Sequence, residues 1–159
     1  MVQQLLTGAL AAVMVLGGSA LSDRPAGLNP NEFTAELTGA AERPNPVTTT
    51  ASGTATVTFN EADSSFTYEV TASNLNDVTA AHIHIGKAEE TGPVAANLLE
   101  MAPPGAVNGT LCSGTIKASD LKSETIASLL AKIQSGDAYV NVHTKANPDG
   151  EIRGQLVAK

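Results

Sequence analysis

Beyond Glu32, apolar and polar residues alternate with a period of two along most of the chain, the pattern of strands that bury one face. Thr54, Thr56 and Thr58 alternate with Ala55, Val57 and Phe59; after the polar connection Glu61-Ala62-Asp63-Ser64, Phe66, Tyr68 and Val70 alternate with Thr67, Glu69 and Thr71. The runs 51–60 and 65–72 predict a β-hairpin. Further strands are predicted at Phe33–Leu37, Val78–Ile85, Val94–Leu99, Thr110–Ile116, Ala138–Thr144 and Glu151–Val157, separated by turns rich in Gly, Pro and Asn. About eight short strands so spaced predict an all-β domain, either a sandwich or a closed barrel, and an antiparallel Greek-key β-sandwich is the expected fold. One helix interrupts the alternation over 123–135. Ser123 is placed to cap it, Ile126, Leu129, Leu130 and Ile133 form its apolar stripe, and Gly136 follows its end. It is expected to pack across an open end of the sandwich.

The N-terminal segment has a different character. Residues 1–22 carry no charged side chain, the run 5–16 is almost wholly apolar, and Gly18-Ser19-Ala20 has the small-x-small form of a signal-peptidase site. The expected division is a signal peptide over 1–20, a Pro- and Gly-containing linker over 21–31, and one domain over 32–159. No Lys or Arg precedes the apolar run, so a retained anchor is the alternative; at this length it would reach only partway through a hydrocarbon core of about 30 Å. With the signal removed, no transmembrane segment is expected to remain. The expected location is secreted, extracellular or periplasmic.

Charge and cysteine content narrow the partners. Nine Lys and Arg face 16 Asp and Glu, a formal net charge of -7, and no basic cluster is present, so the electrostatic footprint for a nucleic-acid backbone is missing. Cys112 is the sole cysteine, which excludes an internal disulfide and a multi-thiolate zinc site within one chain. Its thiol is expected to be buried or to pair between molecules.

The candidate chemistry lies in the histidines. His82 and His84 project to one face of their strand while Ile83 and Ile85 project to the other; Tyr139, Asn141 and His143 likewise oppose Val140 and Val142. The turn Ala146-Asn147-Pro148-Asp149-Gly150 should fold the 138–144 strand onto 151–157, setting His143 across from Glu151 and Asn141 across from Arg153. If the 78–85 strand is adjacent or faces the same opening, three imidazoles converge. Two His at i and i+2 stand about 7 Å apart, within reach of one ion after side-chain rotation, and a third completes a three-nitrogen set suited to copper or zinc. The competing reading is a polar network on an outward sheet face, with Asn141, Glu151 and Arg153 as structural members. No catalytic residue is singled out, since no Ser or Cys has an identifiable base. Asn108-Gly109-Thr110 is a glycosylation sequon with meaning only in a eukaryotic secretory pathway, and otherwise a turn.

Three ordered motifs resemble the CHRD domain, a repeat named after chordin and also found in stand-alone microbial secreted proteins. They are Ala81-His82-Ile83-His84-Ile85-Gly86 followed by Gly92-Pro93-Val94, then 136–144 with Tyr139-Val140-Asn141-Val142-His143, then Pro148-Asp149-Gly150-Glu151-Ile152-Arg153-Gly154-Gln155-Leu156. Phe33 to Ala40 with Glu42 is similar to the start of that domain, so the resemblance spans about residues 32–158. It implies a secreted β-sandwich module. The cysteine-rich modules that bind growth factors in chordin have no counterpart here, so growth-factor antagonism does not carry over. The His-x-His strand also resembles copper/zinc superoxide dismutase, a local likeness without that enzyme's bridging histidine or disulfide. The expected function is an exported non-catalytic binding or structural module whose partner is an unknown extracellular protein or a second copy, with His82, His84 and His143 as a candidate copper or zinc site. The alternatives are a copper-dependent superoxide dismutase-like redox protein and a matrix or filament subunit assembled by strand addition.

Overall fold

A computed structural model describes residues 29–159. Nine strands occur in the order β1 (Glu32–Thr38), β2 (Ser52–Asn60), β3 (Ser65–Asn76), β4 (Val78–Ile85), β5 (Val94–Leu99), β6 (Ala106–Ile116), the helix α1 (Ile126–Gln134), β7 (Ala138–Thr144), β8 (Ile152–Gln155) and β9 (Val157–Ala158). All neighbouring pairs are antiparallel. The all-β reading holds, but the strands hydrogen-bond as one continuous sheet, β5-β4-β7-β8-β1-β2-β3-β6 with β9 also on β1, rather than as the two sheets of the expected Greek-key sandwich. The sheet curls until its edges approach. Leu121 makes an isolated antiparallel bridge to Ala96 of β5 and the N–H of Lys122 donates to the carbonyl of Ala95, while the Tyr68 hydroxyl of β3 donates to the Leu98 carbonyl at 2.7 Å. The result is a nearly closed barrel, which leaves little free backbone at its edges.

The barrel interior takes one side chain in two from each strand, among them Phe33, Leu37, Val57, Phe66, Ile83 and Ile152, all fully buried. Each such side chain contributes about 1.5–3 kcal/mol through burial. The β2–β3 hairpin forms as the alternation predicts, with Thr56 paired to Glu69 and Val57 to Tyr68. Several boundaries differ from the sequence reading. β6 starts at Ala106 instead of Thr110, so the Asn108 sequon lies within an exposed strand and not in a turn, its Oδ1 accepting from the N–H of Asn74. The predicted last strand is split in two, β8 and β9, at Leu156, whose N–H donates to the Ala138 carbonyl. Cys112, half-buried in β6 opposite Val70, is a free thiol whose pKa burial pushes up to about 11.

The helix begins later than expected. Thr125, not Ser123, caps it, its hydroxyl accepting from the N–H of Ser128 at 3.1 Å. Ile126, Leu129 and Ile133 face the barrel, and Gly136 ends the helix at φ +77°, a left-handed conformation that glycine adopts without strain. The predicted signal peptide (1–20) and most of the linker (21–31) fall outside the described residues. Asn29 and Asn31 are tied to the domain, through Asn29 N–H to Lys159 O and Phe59 N–H to Asn31 O. Among the described residues no helix is long and apolar enough to cross a membrane.

Candidate metal centre

The site forms on the outer face of the barrel where β4 lies against β7. Period-two alternation sends Ile83, Val140 and Val142 inward and His82, His84, Tyr139, Asn141 and His143 outward. Pairing of β4 with β7 sets His84 opposite Tyr139, His82 opposite Asn141 and, in the same register, Ala80 opposite His143. His143 therefore reaches diagonally. Its Nε2 lies 3.1 Å from Nδ1 of His82, and the three histidines each offer a ligand atom such that all three lie within 4.8 Å of one another.

Two of the rings are fixed by backbone carbonyls. His84 Nδ1 donates to the Gly92 carbonyl at 2.9 Å and His143 Nδ1 donates to the Pro148 carbonyl at 2.9 Å. A carbonyl only accepts, so in the neutral rings the Nδ1 atoms carry the protons and the Nε2 atoms hold lone pairs. The lone pair of His143 Nε2 receives the His82 Nδ1 proton. The Nε2 of His84 is buried and has no hydrogen-bond partner among the described residues. Burial lowers the pKa of all three imidazoles, that of His82 to about 4, with the neighbouring His143, His84 and Lys122 adding to the effect there. The rings are thus neutral at pH 7, the form that ligates a transition metal.

The outward face is not open to solvent, as a plain sheet face would be. Tyr139, Asn141, Glu151 and Arg153 are all nearly fully buried, because the segment after β1 and the β4–β5 loop lie over them. Asn141 is paired with Arg153 in the β7–β8 register, as the strand alternation predicts. Its Nδ2 donates to both carboxyl oxygens of Glu42 at 2.9 Å, and burial raises the Glu42 pKa to about 7 against the opposing pull of that bond and of Arg153. Glu151 turns away from the imidazoles: its carboxylate accepts from Thr144 at 2.6 Å and Thr49 at 2.8 Å. Burial alone would raise its pKa, but hydrogen bonds from Thr144, Thr49 and Asn147 hold it below the usual carboxylate value.

Arg153 braces the loop over the site, Nη2 donating to the carbonyls of Lys87 at 2.8 Å and Ala88 at 3.3 Å. Its guanidinium sits 3.5 Å above the Tyr139 ring centroid, and the Tyr139 ring in turn stacks on His84, 5.0 Å between centroids and 8° from parallel. Glu42 and Gly92 were not recognisable as site residues from strand periodicity, since both lie in irregular segments. Tyr139 was legible as a member of the histidine face, but its contact with His84 needs the β4–β7 pairing.

Chemically, three neutral imidazoles with two oriented by backbone acceptors make a nitrogen set for copper or zinc. Two nitrogens bound at about 2.0–2.1 Å to one tetrahedral ion stand about 3.3 Å apart, close to the observed separation of His82 Nδ1 and His143 Nε2.

Comparison with known proteins places the chain. The family model of the CHRD domain matches residues 33–156. Chordin of Xenopus laevis is 30% identical over 119 residues, which is 70% of this chain and 11% of chordin, so the chain spans about a tenth of that relative's length. No solved structure matches. The histidine face, its covering loops and the barrel that carries them lie almost wholly within the matched span, and the chain belongs to the CHRD-domain family.

Proposed function

We propose that this protein is an exported CHRD module that binds a transition-metal ion, copper or zinc, through His82, His84 and His143 and acts as a binding module rather than a catalyst. The observation that carries the reading is the buried, unpartnered Nε2 of His84 beside two further imidazole nitrogens, all within 4.8 Å. An unmade hydrogen bond in a buried site costs about 1–3 kcal/mol, which an ion on that nitrogen would recover. The backbone acceptors on His84 and His143 supply the outer support that metal-bound imidazoles use.

The half-burial of the three rings supports a second reading, a copper-dependent redox protein, because a metal held by three nitrogens keeps a position open to a small substrate. Metal analysis of protein purified after growth with copper and zinc tests the first reading. About one equivalent of metal, lost in a His82→Gln/His84→Gln/His143→Gln triple variant, supports it; metal at background in both forms rejects it. Superoxide dismutation by the copper-loaded protein, absent from the triple variant, distinguishes the second. Export rests on the uncharged segment 1–22 with Gly18-Ser19-Ala20, and mass spectrometry of extracellular material should find an N-terminus near Leu21.

A further inference from the structure

Resting on that metal reading, we infer that Tyr139 and Arg153 are positioning residues for the metal centre, holding the His84 ring and the 86–92 loop as one preorganised unit. Among the described residues neither makes a hydrogen bond to an imidazole nitrogen, yet each is nearly fully buried on the histidine face. Burying an arginine costs much free energy unless its charge is used. Arg153 uses it in two places, over the face of Tyr139 and on the carbonyls of Lys87 and Ala88.

Tyr139 links these contacts to the metal ligand. One face of its ring carries the guanidinium and the ring also lies parallel to His84, so His84 is confined to one plane. Its hydroxyl accepts from the N–H of Gly92 at 3.1 Å, and the carbonyl of the same Gly92 accepts from His84 Nδ1. A closed circuit results: His84 to Gly92 by one hydrogen bond, Gly92 to Tyr139 by another, Tyr139 to His84 by stacking. Both ring plane and tautomer of His84 are set before an ion arrives. Gln155 ties down the root of the same loop by donating to the Gly86 carbonyl at 2.8 Å, and the Gly86 N–H donates to the Asp137 carbonyl. The loop's buried anchors thus include β7, β8 and the residue preceding β7, while Arg43, from the segment after β1, pairs with Glu89 at its exposed side at 2.8 Å. Preorganisation of this kind raises affinity by removing the ordering cost from the binding step.

Cu(II) titration of wild type, Arg153→Met and Tyr139→Phe, followed by calorimetry and by electron paramagnetic resonance, tests the inference. Arg153→Met removes the charge and the loop donors; Tyr139→Phe keeps the ring and removes only the Gly92 acceptor. Expected are a 10- to 100-fold weaker Cu(II) affinity for Arg153→Met, a smaller loss for Tyr139→Phe, and altered copper hyperfine parameters in both, a signature that loss of stability alone does not produce. If Arg153→Met fails to fold by circular dichroism, Tyr139→Phe decides. Wild-type affinity and spectra in the folded variants overturn the inference alone. Wild type that takes up no Cu(II) overturns the metal reading and the inference with it.

Discussion

His82 and His143, 61 residues apart in the chain, meet through Nδ1 and Nε2 at 3.1 Å across the β4–β7 pairing. In the β4–β7 register His82 pairs with Asn141 and the small Ala80 pairs with His143, so the two rings are diagonal neighbours on one face of the sheet. In the metal-free protein the pair is held by one shared proton. On the proposed metal reading, an ion entering between them would displace that proton, and uptake would be coupled to proton release at this pair.

The depressed histidine pKa values give the metal-free protein a pH-dependent stability of definite sign. The unfolded chain protonates its histidines near 6.5, whereas folded His82 stays neutral down to about 4. The unfolded state therefore binds more protons in that window, and stability contributed by His82 is complete above about 6.5 and lost as pH falls toward 4. Urea unfolding with chelator present should show His82→Gln gaining on wild type as pH drops from 7 to 5. A difference that does not change with pH contradicts the burial of the neutral ring.

Glu42 acts in the opposite direction. Its folded pKa of about 7 lies above the ordinary carboxyl value of 4.5, so between the two the folded state holds a proton that the unfolded state has released. That stability is complete below about 4.5 and is lost as pH rises through 7. Glu42→Gln, which keeps an acceptor for Asn141, should be more stable relative to wild type at pH 8 than at pH 5. Unfolding curves at the two pH values check it, and the reverse order contradicts it.

Gly92 admits no side chain. A Cβ built there lies 1.6 Å from the Ile85 carbonyl oxygen, so Gly92→Ala must displace the loop that carries the His84 acceptor. The expected cost is about 2 to 4 kcal/mol in denaturant unfolding, the range of severe backbone conflicts. Gly92→Ala with wild-type stability would mean that the loop closes differently over β4.

Core and surface faces of the strands should separate cleanly. Ile83→Ala and Val142→Ala each leave a cavity in the fully buried interior and should cost about 1 to 4 kcal/mol. Thr56→Ala, on the outer face of β2, should cost far less. Thermal melts of the three variants give the comparison, and equal melting points would contradict the face assignment.

Periodicity carried much of the fold. β4, β5 and β7 lie where alternation puts them, and the Asn141–Arg153 pairing follows from the Pro148-Asp149-Gly150 turn. Alternation assigns a side chain to a face but says nothing about what covers that face. For this reason Arg153 and Asn141 read as members of an outward polar sheet, although irregular segments carrying Glu42, Lys87 and Ala88 bury them. Glu151 read as a partner across from His143 for the same reason, whereas Thr49, from the covering segment, and Thr144 take its carboxylate. The two-sheet expectation was not met because of a longer-range property: strand spacing is the same for a sandwich and for one curled sheet, and the contacts of Leu121, Lys122 and Tyr68 with β5 reveal the near-closure.

On the proposed reading the unpartnered Nε2 of His84 is a metal ligand. Calorimetric titration of Cu(II) and Zn(II) at pH 7.5 into wild type and His84→Gln tests it most directly, with melting temperature as the parallel readout because an ion bound only to the native state stabilises it by mass action. Expected are one site per chain in wild type, a marked rise in melting temperature with metal, and sharp weakening of both in His84→Gln. Binding no tighter than millimolar for either metal in wild type, with unchanged melting temperature, would contradict it.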